Sequence, residues 1–362
     1  MHIYQLTPAI SKGDAVSNDA VALETVLRDM GYADSMIYSP VIRDNIPRSI
    51  AQNTEHDMPK LSPDDIMLYH LAIGGPVNQF FKELPCRKVV IFHNITPAKF
   101  FEKYDKNSAD LCRQGLREAA GLADVTEHAI AISEFDAQDL RKLGFTCPID
   151  VVPILIPFDD YRQTPTPSIV AEKGKKTTFL FTGRVAPNKK QGDLIEAFYY
   201  YKKNYNSNSR LVIAGGYGQE DPYYRDLAAY RQSLGLTEED VLFTGHVAFS
   251  DLLAWYRCAD VFLCLSEHEG FCVPLVEAMF FDLPIIAYDS SAVGETLSYG
   301  GLLLKDKDPL LVAGAMNRVV SDPKLREALV TNGRERLKDF DRDKIAEKFR
   351  KVIHELAGTK TA

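Results

Sequence analysis

Two carboxylates and two cations stand out by type and spacing. Glu269 and Glu277 lie in Ser266-Glu-His-Glu-Gly-Phe-Cys-Val-Pro-Leu-Val-Glu-Ala-Met279, directly after the apolar run 261–265. That order reads as a strand, a glycine-containing turn and a helix with Pro274 in its first turn. The N–H groups of such a helix start, here Phe271 to Val273, have no intrahelical partners and form a cradle for phosphate. Glu269 falls in the turn and Glu277 about one turn inside the helix. The two carboxylates can therefore accept hydrogen bonds from different hydroxyl-bearing parts of one ligand, with a phosphate between them. Arg184 and Lys189 stand five residues apart in Phe181-Thr-Gly-Arg-Val-Ala-Pro-Asn-Lys-Lys-Gln-Gly-Asp193, again after an apolar run. Arginine gives a bidentate contact and lysine a point charge, a pair suited to clamping a diphosphate.

These loops need strands and helices to hold them. Short apolar runs rich in β-branched residues recur at 2–6, 36–38, 65–70, 89–93, 128–132 and 150–154, with helical patterns such as 17–30 and 109–122 between them. Such alternation predicts parallel βαβ units. The stretch 159–176 holds Asp159-Asp160, Pro165, Pro167 and Glu172-Lys-Gly-Lys-Lys176 without strong periodicity, and reads as a linker. The alternation restarts with runs at 178–183, 211–214, 241–243, 261–265, 283–288 and 301–304. The expected organisation is two doubly wound α/β domains, 1–158 and 177–340, joined by 159–176. An amphipathic helix within 341–362 follows, able to pack back on the first domain.

The chain has 362 residues, 46% of them hydrophobic and 25% charged, which suits about two globular domains. Its net charge is −8. Residues 1–170 hold 16 Lys/Arg against 23 Asp/Glu, and the remainder 26 against 27. No basic footprint for nucleic acid is present, and the acidic first half argues against docking on anionic lipid. The mixed segment 98–106 reads as a solvated helix, so membrane contact is expected to be peripheral at most. No apolar run approaches the ~20 residues of a membrane span. Six cysteines, at 86, 112, 147, 258, 264 and 272, form no C-x-x-C pair and read as free, mostly buried thiols. With no secretory signal, a cytoplasmic location is expected.

The sequence resembles the retaining glycosyltransferases of family 4, whose signature is Glu, seven residues, Glu, here Glu269 and Glu277. The family's Gly-Arg-x4-Lys element matches Gly183-Arg184 and Lys189. Ala214-Gly-Gly-Tyr-Gly218 and Val241-Leu-Phe-Thr-Gly-His-Val247 are similar to its next two elements. Alone, each charged residue reads as an ordinary solvated group; four elements in the family's order favour function. The resemblance implies the GT-B fold, two Rossmann-like domains facing a central cleft. The first would bind acceptor and the second a nucleotide-diphosphate sugar, on UDP or GDP. Arg184 and Lys189 would neutralise the leaving diphosphate. Glu277 would hold the ribose, and Glu269 with the amides of Gly270, Phe271, Cys272 and Val273 the donor sugar. Backbone near Val247 would meet the base. His93 matches the family's histidine near the reacting sugar, and Gly13 its N-terminal loop glycine, although Ser11-Lys-Gly-Asp14 lacks the usual Gly-Gly pair. Cys272 stands where glycine is commoner.

The implied reaction is front-face transfer with retained configuration and no cofactor or metal, onto a saccharide or lipid-linked saccharide in surface polysaccharide assembly. A nucleotide-sugar epimerase or a non-catalytic nucleotide- or carbohydrate-binding subunit on the same fold are the alternatives. Gly215-Gly-Tyr-Gly218 lacks the spacing of a dinucleotide fingerprint. His70 and His128 read as core histidines at strand ends. Asp306-Lys-Asp308 and Asp341-Arg-Asp343 imitate a metal-binding Asp-x-Asp in the wrong half of the chain.

Overall fold

Apolar runs such as Ile-Met-Leu-Tyr-His-Leu and Val-Phe-Leu-Cys are strands buried along their whole length, the pattern of a parallel sheet covered on both faces. The computed structural model describes residues 1–358, which divide into two units. One comprises Met1–Lys99, Lys106–Pro157 and residues 340–358; the other comprises Phe100–Asp105 and Phe158–Asp339.

The first unit holds β1 (Ile3–Leu6), β2 (Ile37–Ser39), β3 (Ala51–Asn53), β4 (Ile66–Leu71), β5 (Arg87–Phe92), β6 (His128–Ala131) and β7 (Ile149–Val151). They pair in parallel in the order β3-β2-β1-β4-β5-β6-β7. Strand β3, Ala-Gln-Asn, has no apolar signature and was not expected; pairing with the edge of β2 makes it a strand. Strand β7 stops at Val151, short of the expected 154, where Pro153 offers no N–H to the ladder. Helix Ala15–Asp29 starts at Asp14, whose carboxylate accepts from the Ser17 amide at 2.9 Å. It buries Leu23, Val26 and Leu27 against Ile3, Ile66 and Val89. Phe349, Val352, Ile353 and Leu356 of helix Arg342–Gly358 join that same core. Each fully buried side chain of this size is worth about 1.5–3 kcal/mol.

The second unit holds β8 (Thr177–Thr182), β9 (Ser209–Ala214), β10 (Val241–Gly245), β11 (Val261–Cys264), β12 (Ile285–Tyr288) and β13 (Leu302–Leu304), in the parallel order β10-β9-β8-β11-β12-β13. Both sheets thus follow the 3-2-1-4-5-6 winding of a Rossmann-like domain. Winding reverses between β1 and β4 and between β8 and β11, and ligands in such sheets bind beyond the strand ends at that reversal.

Two segments differ from expectation. Residues 159–176 carry a 3-10 turn, Asp160–Arg162, and a short helix, Pro167–Val170. They count with the second unit, with the Thr166 amide bonded to the Ser250 carbonyl at 3.1 Å. Segment 98–106 is not a helix: Ala98–Phe100 is a 3-10 turn, and Phe100–Asp105 belongs to the second unit. There the Tyr104 ring meets Tyr223 edge-on at 5.0 Å, and Lys103 pairs with Asp226 at 2.9 Å. Among the described residues no helix is long and apolar enough to cross a membrane.

Candidate functional site

In the second unit the two loops singled out by charge both leave the winding reversal, one after β8 and one after β11. The β8 loop is zipped onto the chain beyond β9: the Gly183 amide donates to the Ala214 carbonyl at 2.9 Å and Val185 to Gly216 at 3.0 Å. Gly215 is obligatory here, since a Cβ at that position would lie 1.9 Å from the Gly183 carbonyl oxygen. Gly215→Ala therefore forces the Gly183–Arg184 peptide aside. We expect chemical denaturation to show a loss of roughly 3 kcal/mol, the upper end of overpacking costs because backbone must yield.

The two loops are tied together. Asn188 donates through Nδ2 to the His268 carbonyl at 3.0 Å, and the Glu267 amide donates to the Asn188 carbonyl at 2.8 Å. Lys189 ends the 3-10 turn Pro187–Lys189 and reaches both oxygens of Glu269, at 2.6 and 2.5 Å. Burial alone would push the lysine pKa down; the Glu269 charge and hydrogen bonds outweigh it and raise it instead. Arg184 is exposed, with its backbone carbonyl accepting from Gln191 at 3.1 Å.

Beyond Glu269 and Gly270 the chain turns through buried Phe271 and then Cys272, left-handed at φ 73°, into helix Val273–Phe280. Glycine adopts this conformation freely, and a cysteine there carries a strain of about 1–2 kcal/mol. No side chain caps the helix, so its first amides have no side-chain acceptor. Val247 is half-buried between β10 and helix Phe249–Cys258.

Glu277, buried in that helix, accepts from Tyr161 at 2.6 Å on one oxygen and from Tyr256 at 2.5 Å on the other. Tyr256 also bonds Thr182 of β8 at 2.6 Å. Burial pushes the Glu277 pKa up and the tyrosine hydrogen bonds pull it partly back, leaving it raised. Sequence reasoning missed Tyr161, Tyr256 and Asn188. Tyr161 sits in a stretch read as linker and Tyr256 on a core-facing helix, so neither carries a local signal.

Gly13 and His93 belong to the first unit. Gly13 is left-handed at φ 74° just before the Asp14 cap, with open space where a Cβ would stand. His93 follows β5 with its side chain buried, and burial pushes its pKa down to about 3, which leaves the ring neutral near pH 7. The described residues gather two groups able to present three ligand atoms to a metal: Asp19, His70 and His93, and Cys264, Glu269 and Cys272. In the second group Lys189 already supplies the positive charge against Glu269.

Residues 163–336 match the family described as Glycosyl transferases group 1. Over 186 residues the chain is 30% identical to a Campylobacter jejuni alpha-1,4-N-acetyl-D-galactosaminyltransferase. The match covers 50% of this chain and 49% of that protein. It is 23% identical over 261 residues to O-antigen chain mannosyltransferase B of Escherichia coli, 70% of this chain and 66% of that protein. The matched region thus spans about half to two thirds of these curated relatives. HepE of Anabaena, solved with UDP and glucose, superimposes with a TM-score of 0.76 at 16% identity, covering 98% of this chain and 100% of that one. Residues 163–336 are thus similar to group 1 glycosyltransferases, and the chain has the GT-B fold.

Proposed function

We propose that this protein is a retaining, metal-independent glycosyltransferase. It moves a sugar from a UDP- or GDP-sugar to a saccharide or lipid-linked saccharide in surface polysaccharide or glycolipid assembly. One observation carries the reading. Arg184, Lys189 and Glu269 converge on the winding reversal of the second sheet, beside a helix start with no side-chain cap. Glu269 offsets the lysine charge, so exposed Arg184 supplies net positive charge for a diphosphate, with the helix amides beside it. Arginine, lysine and amides stabilise the departing diphosphate, and positioning supplies the rest of the barrier reduction. A phosphate oxygen of the leaving group takes the acceptor's proton. Glu277 accepts from the ribose hydroxyls, and Val247 backbone meets the base. The Campylobacter relative is named for an undecaprenol-diphosphate-linked glycan and the Escherichia coli one for an O-antigen chain, which supports a lipid-linked saccharide acceptor.

A thermal-shift panel of UDP, GDP, ADP, CDP and TDP, with and without EDTA, tests the reading. At 100 times its dissociation constant the matching nucleotide adds about 2.7 kcal/mol to the native state. The shift and the turnover of the matching nucleotide-sugar are expected to persist in EDTA. A strict requirement for Mn²⁺ or Mg²⁺ overturns metal independence, and loss of the donor-sugar anomeric configuration in the product overturns retention.

A further inference from the structure

Two cysteine sulfurs meet beside Glu269, and the transfer reaction uses neither thiol. Cys264 ends β11, and Cys272 precedes helix Val273–Phe280 eight residues on. The turn between them folds the second thiol back onto the first, with the sulfurs 3.9 Å apart. Cys264 Sγ also lies 3.5 Å from Ser266 Oγ. Both cysteines are buried and free of disulfide bonds. Cys272 is held there at φ 73°, where glycine would be free of strain but would present no thiol. Residues kept in sparsely populated backbone regions gather at functional sites.

A Glu269 oxygen completes the group: it and the two sulfurs all lie within 4.8 Å of one another. A tetrahedral zinc ion at ~2.3 Å from each of two sulfurs holds them about 3.8 Å apart, close to the spacing already present. Glu269 has two oxygens, so an ion takes one while the Lys189 ammonium, now on both, keeps the other. The charges balance. Two thiols, one carboxylate and one ammonium sum to zero. A divalent ion that breaks both S–H bonds, forms two metal–sulfur bonds and sends both protons to solvent leaves the sum at zero. No net charge is buried, which removes the main cost of placing an ion in an enclosed site. Sulfur ligands select zinc and similar soft ions over Mg²⁺ or Mn²⁺. The Lys189 side chain, 21% open to solvent, marks the way in.

We propose that Cys264, Cys272 and Glu269 form a binding site for a thiophilic divalent cation, with Zn²⁺ the expected ion, and that its occupation blocks sugar transfer. The block rests on the transferase reading, in which Glu269 holds the donor sugar: an ion on Glu269 withdraws that carboxylate from the sugar. The ion is an inhibitor and takes no part in the reaction.

Titration of the reduced, metal-free full chain with Cd²⁺ tests the ligands directly, because cadmium–thiolate bonds give an ultraviolet charge-transfer band. The band is expected to saturate at one ion per chain. Cys264→Ala and Cys272→Gly should each weaken Cd²⁺ at least about a hundredfold, since losing a ligand costs more than the 10–100-fold of losing an outer-shell partner. Cys272→Gly also relieves the left-handed backbone, so it keeps the test open should Cys264→Ala fold poorly. Ion uptake without the band, or parent-strength uptake by either folded variant, overturns the site. One equivalent of Zn²⁺ should lower transfer at least roughly tenfold, the worth of one charge-assisted hydrogen bond to the sugar, and EDTA should restore it. Cys264→Ala is expected to transfer at the parent rate without metal and to resist Zn²⁺. Undiminished transfer by the zinc-saturated parent overturns the block. Failure of every nucleotide-sugar to turn over in EDTA sinks the transferase reading instead, and the cadmium band stands apart from it.

Discussion

Lys189→Met is expected to lower stability by roughly 3 kcal/mol and to reduce sugar transfer at least a hundredfold. Glu269 is only 7% exposed, and both its oxygens are held by the Lys189 ammonium. Removing one partner of a buried pair leaves an uncompensated charge, which costs about 3–5 kcal/mol. The lower figure applies because 21% of the lysine side chain remains open to solvent. The rate loss follows from the proposed role: removing one preorganised group that stabilises transition-state charge costs about 10²–10³ in kcat. The double variant Lys189→Met, Glu269→Gln separates the two effects. With both charges gone, urea unfolding should recover most of the lost stability while transfer stays lost. A double variant no more stable than Lys189→Met would show that the pair is not coupled; recovered transfer would remove both residues from the site.

Glu277→Gln is expected to do the opposite to stability. Its carboxyl pKa is raised above the ordinary 4.5, with burial as the largest cause. The native state therefore binds this proton more tightly than the unfolded chain. The stability so conferred is fully present below about pH 4.5 and is lost as pH rises through the folded value. Wherever the carboxylate is ionised in the folded state it costs the fold stability, and a neutral amide removes that cost. Glutamine can accept from one tyrosine and donate to the other, so both contacts survive. Urea unfolding at pH 7 should find Glu277→Gln at least as stable as the parent, with the advantage vanishing near pH 4. The donor KM should rise roughly tenfold, because charge-assisted hydrogen bonds to hydroxyls become neutral ones. Lower stability at pH 7 would refute the electrostatic argument, and an unchanged donor KM would remove Glu277 from the ribose subsite.

The two carboxylates illustrate how far the sequence reading reached. Their spacing, the preceding strand and the helix start were all visible in one stretch of fourteen residues, because backbone order is local. What each carboxylate touches was not. Lys189 lies 80 residues from Glu269, and Tyr161 lies 116 residues from Glu277. Only the folding of both loops onto neighbouring strand ends brings these groups within 3 Å. His93 and His70 were read as separate strand-end histidines; register across β4 and β5 stacks their rings at 5.1 Å.

The parallel α/β class, the two successive sheets and the charged loops were determined by the sequence itself. Alternating apolar runs and helical periods are local patterns set by burial and hydrogen-bond geometry. Strand order, the assignment of 100–105 to a unit distant in sequence, the pairing of Lys189 with Glu269, and the contact of His70 with His93 were decided by tertiary structure alone. These depend on which distant groups become neighbours once water is excluded, and no local periodicity encodes that.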